Sequence, residues 1–163
     1  MVWRAAILTA SDRGSRGERE DTSAQVIREL IEEEIGGEII DYRIVPDEID
    51  RIAAALIELA DVHRADLIVT TGGTGLAPRD ITPEATAMVI DRQVPGMAEA
   101  MRAASLLKTK RAMLSRGICG TRGQTLIINL PGSPKGVSEN LSAIISELPH
   151  ALAILTEREG DHG

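Results

Sequence analysis

Residues 66–75 read DLIVTTGGTG: an aliphatic and β-branched run that ends abruptly in a loop with three glycines. An apolar run without polar alternation is the pattern of a strand covered on both faces, and such strands belong to parallel sheets flanked by helices. Val2–Thr9 (VWRAAILT) and Thr125–Asn129 (TLIIN) have the same character. After the first of these runs, Thr22 with Gln25 three residues on carries a capping-box signal, followed by Val26, Ile27, Leu30, Ile31 and Ile35 at helical spacing and the stop signal Gly36-Gly37. Residues 38–45 read as a second strand. Residues 49–63 read as a second helix, with Ile49, Ile52, Ala53, Leu56 and Leu59 on one stripe. The alternation β-α-β-α-β predicts an α/β fold: a doubly wound, mainly parallel sheet with helices on both faces and right-handed crossovers.

Beyond the glycine loop, Thr82 reads as an N-cap with Pro83 at the first helical position, opening a helix to about Ile90. Pro95-Gly96 breaks the chain ahead of a helix over Met97–Leu107. Ala112–Ser115 reads as a short strand, and Ser138–Leu155 as a closing helical stretch that Pro149 ends or kinks. Gly160–Gly163 reads as a frayed end. With 163 residues and no internal repeat, residues 1–163 are expected to form one domain.

Composition narrows the function. Trp3 and Tyr42 are the only aromatic residues, so the core must be aliphatic and no stacking platform for bases exists. The formal charge of −7 repels phosphate backbones, which with the missing aromatics argues against nucleic-acid binding. A single cysteine, Cys119, permits neither an internal disulfide nor a zinc cluster and reads as a small buried thiol. No apolar run reaches the ~18 residues of a membrane span, and no targeting segment opens the chain, so a soluble, cytoplasmic protein is expected. His63, His150 and His162 are dispersed, which gives a Ser-His-Asp hydrolase no support.

Ligands of open α/β sheets bind beyond the carboxyl ends of the strands. Those ends are Thr9-Ala10-Ser11-Asp12, Val45-Pro46-Asp47, Thr70 to Gly75, and Asn129-Leu130-Pro131-Gly132-Ser133-Pro134-Lys135. Thr71-Gly72-Gly73-Thr74-Gly75 offers backbone amides unobstructed by side chains ahead of a helix, as an anion site requires; a tight turn is the structural alternative. The loop lacks both the Gly-Lys-Ser/Thr of a Walker loop and the dinucleotide fingerprint. Asp80 and Asp47 face the same crevice, and two carboxylates beside bound phosphate suit Mg²⁺. For Asp47, helix capping with Asp50 in the first turn is an equal alternative, and for Asp12 an Asx turn is the simpler one. Between Ala100 and Ser138 there are no acidic residues but seven cations, Arg102, Lys108, Lys110, Arg111, Arg116, Arg122 and Lys135. That segregation suits an anionic substrate or acidic partner, with Lys135 as the expected substrate contact.

Taken together, Thr70 to Gly75 with Arg79-Asp80-Ile81-Thr82-Pro83-Glu84, Pro46-Asp47-Glu48, Asn129 to Lys135, the opening strand with Ser11-Asp12-Arg13, and Arg92 to Arg102 resemble the MogA/MoaB family of molybdenum-cofactor biosynthesis proteins. The resemblance runs over nearly the whole chain. It implies a MogA-like fold and a molybdopterin adenylyltransferase, in which the terminal phosphate of molybdopterin attacks the α-phosphorus of ATP and pyrophosphate leaves. Related domains occur in gephyrin. The family's two functional aspartates fall on Asp47 and Asp80, the expected catalytic and Mg²⁺-binding pair. Its substrate-binding segments fall on Ser11 and Asp12, on Thr71 to Gly75, and on Pro131, Gly132, Ser133 and Pro134 with Lys135. The resemblance further implies a homotrimer or hexamer. Two other functions are the alternatives: a MoaB-type pterin-binding or assembly module without catalysis, and a nucleotide hydrolase like the related domain of CinA proteins. Retention of Pro134 together with both aspartates points to the adenylyltransferase.

Overall fold

The computed structural model describes residues 2–18 and 20–158. The expected frayed end, Gly160–Gly163, lies outside the described residues. Six strands form one sheet: β1 (Arg4–Ala10), β2 (Glu38–Val45), β3 (Leu67–Thr71), β4 (Arg92–Gln93), β5 (Cys119–Arg122) and β6 (Thr125–Leu130), in the order β2-β1-β3-β6-β5-β4. The first four positions of that order are parallel, with Ile7 beside Tyr42 and Val69, and Val69 beside Ile128. β5 and β4 complete one edge in antiparallel register.

The long helices are α2 (Thr22–Ile35), α3 (Ile49–Ile57), α4 (Thr82–Val89), α5 (Pro95–Leu106), α6 (Pro134–Ile144) and α7 (Leu148–Thr156); a single turn, α1 (Asp12–Ser15), follows β1. Alternate residues of β1 serve opposite faces. Ala5 and Ile7 join Leu67, Val69, Leu126 and Ile128 beneath α2, α5, α6 and α7, whereas Ala6 and Leu8 join Ile68 and Ile127 beneath α3 and α4. This two-sided burial is why the strands carry no polar alternation. Trp3 is the one aromatic residue in an otherwise aliphatic core of the described residues, and Cys119 is buried within it, where desolvation pushes its thiol up to about 12.

Several local expectations are corrected. Ala112–Ser115 is not a strand; Lys110–Leu114 forms a 3₁₀ turn capped by the Thr109 hydroxyl, which accepts from the Arg111 amide at 3.2 Å. The strand at this edge is instead Cys119–Arg122. It pairs with β6 through the turn Gly123-Gln124, where Gly123 adopts φ +56°. Pro95 does not break the chain but opens α5. α2 is capped by Asp21 rather than Thr22. The closing helix begins at Pro134, capped by the Ser133 side chain, and is interrupted by a 3₁₀ turn at Ile145–Glu147 ahead of Pro149. The second helix is regular only to Ile57, and residues 58–62 widen into a π turn.

Candidate functional site

β1 sends the chain outward to β2 and β3 brings it back on the other side, so the direction of winding reverses between them. The crevice at such a reversal, beyond the carboxyl ends of the strands, is where this architecture leaves room for a ligand. A cleft of about 380 Å³ lies there, lined by the end of β1, the loop after it, Asp47, Thr71, Gly72, Gly73, Asp80 and Gly132.

Close backbone packing builds this cleft. Gly72 has φ +94°, and a β-carbon there would stand 2.5 Å from the Ala10 carbonyl oxygen. The Gly72 amide donates to the Leu130 carbonyl at 3.2 Å, and the Thr71 hydroxyl donates to the Pro131 carbonyl at 2.6 Å. The Ser23 hydroxyl reaches the Gly132 carbonyl at 2.6 Å. Glycine loop, β1 terminus and the 131–133 segment are therefore stitched to one another.

Asp12 and Asp47 engage reciprocally. The Asp12 amide donates to Asp47 Oδ2 at 3.1 Å, and the Asp47 amide donates to Asp12 Oδ1 at 2.9 Å. Asp47 therefore does not cap α3; Glu48 occupies that position, without a capping side-chain bond. The two carboxyls shift in opposite directions. Asp12 is held below the ordinary aspartate range by its bond from the Asp47 amide, and Arg79, whose guanidinium lies 2.7 Å away, adds to the effect. Asp47 is raised, chiefly because burial penalises its charge, and the carboxylates of Asp12 and Asp80 push the same way.

Asp80 accepts from the Ala77 amide at 3.0 Å and stands against Gly75, where a β-carbon would lie 2.9 Å from its Oδ2. Among the described residues no cluster of three His, Cys, Asp or Glu side chains could form a metal cage. The donor set suits an ion that takes one or two carboxylates and completes its shell with phosphate and water, as Mg²⁺ does. Asp47 is raised by partial desolvation and by the neighbouring carboxylates of Asp12 and Asp80, the condition a divalent cation relieves.

On the other side of the glycine loop is a second cleft, of about 280 Å³, lined by Thr74, Gly75, Arg102, Ser105, Arg111, Ser115, Pro131, Ser133 and Asn140 among others. The two clefts share the loop as a common wall. Most of the residues expected at the site reach one cleft or the other, with two exceptions. Lys135 is exposed on the first turn of α6 and lines neither cleft, and Pro134 only opens that helix. The hydroxyls of Ser11 and Ser133 are committed to helix starts, accepting from the amides of Gly14 and Gly136 at 3.0 Å.

Three participants escaped the sequence reading. Arg116 donates to the Gly75 carbonyl at 2.8 Å and the Asp80 carbonyl at 2.6 Å, and pairs with Glu84 at 2.6 Å, so one guanidinium ties the loop, the Asp80 segment and α4 together. Arg79 neutralises Asp12. Asp21 lines the acidic cleft while capping α2, and it accepts from the Tyr42 phenol and, at 2.6 Å, from the Thr9 hydroxyl. Arg79, adjacent to Asp80, and Arg116, within the acid-free cationic stretch, carried signals in the sequence, though not for these contacts; Asp21 carried none.

Fold and site thus define an α/β protein whose paired clefts, one acidic and one bearing arginines, meet at a glycine loop on the winding reversal. The chain belongs to the family described as "Probable molybdopterin binding domain", whose profile matches residues 6–150. It is 45% identical over 150 residues to a molybdopterin adenylyltransferase of Helicobacter pylori, covering 91% of this chain and 85% of that one. The crystal structure of the molybdopterin biosynthesis enzyme MoaB from Thermus thermophilus superposes with a TM-score of 0.90 at 54% identity, covering 96% and 98% of the two chains. The molybdopterin biosynthesis Mog protein from Mycobacterium ulcerans gives 0.88 at 39% identity, covering 96% and 99%.

Proposed function

We propose that this chain is a molybdopterin adenylyltransferase acting in molybdenum-cofactor biosynthesis. The observation that carries the proposal is the pair of clefts with opposite lining across one glycine loop, in a chain whose curated relatives bear that activity's name. A phosphate oxygen of molybdopterin attacks the α-phosphorus of ATP. The bond from that phosphorus to the bridging oxygen breaks, pyrophosphate leaves with the electron pair, and a new P–O–P linkage joins AMP to the pterin. Such a reaction needs positioning and charge neutralisation rather than a covalent nucleophile.

Asp47 and Asp80 would hold Mg²⁺, which when bound offsets charge on the triphosphate. Gly72 to Gly75 let the backbone approach the phosphates closely. The Asp47 amide, with Arg79 on the other oxygen, favours the ionised form of Asp12, and the reciprocal bonds of Asp12 hold Asp47 in place. Arg102 and Arg111, with the hydroxyls of Ser105 and Ser115, line the cleft where the anionic pterin would lie. Assembly as a homotrimer or hexamer belongs to the same proposal; exposed Leu106, Leu107, Met113 and Leu114 offer apolar surface to a second copy. A cytoplasmic setting, with no nucleic-acid or membrane partner, also belongs to it. Among the described residues no helix is long and apolar enough to cross a membrane.

Incubation with molybdopterin and Mg-ATP, followed by mass spectrometry, tests the proposal. Adenylylated pterin from the wild type, and little from Asp47→Asn or Asp80→Asn, is the expected result. Molybdopterin bound without pyrophosphate release would replace it with the binding-module alternative, and pyrophosphate or phosphate release without pterin with a nucleotide hydrolase.

A further inference from the structure

Thr82 fails as a helix cap. It is the first residue of α4 rather than the residue before it, its side chain is completely buried, and its hydroxyl has no hydrogen-bond partner. Among the described residues it is the only buried side-chain polar atom in that condition. Its neighbours are all engaged. The Thr86 hydroxyl donates to the Thr82 carbonyl at 2.9 Å, and the Asn129 side-chain amide donates to the hydroxyls of Thr70 and Thr86 at 3.0 Å. A hydroxyl buried without a partner is costly, so one such group in an otherwise satisfied network calls for a reason.

Gly73 is what covers it. A β-carbon at Gly73 would overlap Thr82 Oγ1 and stand 3.5 Å from Asp47 Oδ1, so the hydroxyl points at the wall of the acidic cleft from behind the loop. The Gly73 carbonyl also accepts the Thr82 amide at 3.1 Å. The loop therefore takes one donor of Thr82 and blocks the other. Gly72 and Gly73, with φ of +94° and +68°, are the residues for which other backbone conformations are cheapest. Behind them stands the N-terminus of an eight-residue helix, whose dipole favours an anion.

We propose that Thr82 is a donor recruited by phosphate: a phosphate group of Mg-ATP seated against Gly72-Gly73 turns the loop, and the Thr82 N–H and O–H, freed together, donate to its oxygens. In the arrangement the structure shows, the buried unpartnered hydroxyl is a destabilising group, and a phosphate bound there relieves it. This rests on the nucleotide assignment made above.

Thr82→Val, which keeps the shape and removes the hydroxyl, separates the two states. Without ligand the variant should melt about 2–6 °C above wild type, since it loses an orphaned polar group. Its dissociation constant for Mg-ATP, measured by calorimetry, should rise about tenfold to a hundredfold. Thr82→Ser should bind Mg-ATP as wild type does, and the Thr82 amide resonance of wild type should move strongly when Mg-ATP is added. Opposite signs for stability and affinity are the signature, because a residue that merely packed would lose both or neither. An unchanged or lower melting point for Thr82→Val overturns the proposal, as does unchanged affinity. If wild type itself fails to bind Mg-ATP, the nucleotide assignment falls and this inference with it; if wild type binds and Thr82→Val binds equally, only this inference falls.

Discussion

The two clefts on either side of the glycine loop share the segments that follow β3 and β6, yet their chemistry is opposite. On one side Asp12, Asp47 and Asp80 gather, while on the other Arg102 and Arg111 outnumber Glu139. The side chains that differ come from different crossovers, and the loop they share is almost bare of side chains. In the proposed reaction, a thin wall between acidic and basic clefts would let two anionic substrates approach one another while each is neutralised separately, the first by a carboxylate-bound cation and the second by guanidinium groups.

The largest effect should come from erasing the acidic side. Asp80→Asn or Asp47→Asn is expected to lower the rate of adenylylated-pterin formation by about 10²–10³-fold while leaving molybdopterin binding intact. Equal losses in both would show that the two clefts do not divide the labour. Next comes the wall itself. Arg116→Ala removes three tethers at once and should lower turnover by about tenfold or more, and Arg116→Lys should not restore it, because an ammonium cannot span the Gly75 and Asp80 carbonyls and Glu84 together. Steady-state kinetics of the two variants checks this.

On the basic side, Arg111→Ala should raise the KM for molybdopterin about 3–10-fold and leave the KM for ATP unchanged. A parallel rise in both would place the nucleotide in the second cleft as well. The smallest effect is a difference of sign within the acidic cleft. Asp47 has a raised folded-state pKa, so the folded state holds its proton more tightly than the unfolded chain does, and its contribution to stability improves as pH falls through that pKa. Asp12 is lowered, so it stabilises above the unfolded aspartate pKa and loses that contribution as pH falls. Thermal unfolding at neutral pH should therefore show Asp47→Asn at or above wild type and Asp12→Asn below it, with both differences shrinking in acid.

Much of this was legible in the chain. β1, β3 and β6 are buried on both faces, so their composition announced a parallel sheet, and the glycines of residues 72–75 marked the loop beyond it. The antiparallel edge was not legible: Cys119–Arg122 has only four residues, with a glycine at its second position, and its place depends on a hairpin with β6 and on Gly120 packing against Ile90 and Arg92. Capping signals erred by one residue at Thr22 and Thr82: Asp21 takes the cap of α2, and the cap position of α4 falls on Ile81, without a capping side-chain bond. At Asp47 the competition between a helix amide and a distant partner favoured Asp12, thirty-five residues away in sequence.

The sequence by itself determined the alternation of elements, the aliphatic two-sided sheet and the set of residues that end its strands, because burial pattern and turn chemistry are local properties. Only the tertiary structure decided how those residues are used: that Asp12 and Asp47 clasp each other and shift apart in pKa, that Arg116 pins the loop from a crossover away, and that Thr82 is buried without a partner. Hydrogen-bond satisfaction and desolvation depend on what the rest of the chain brings to a position, and no window of sequence contains that information.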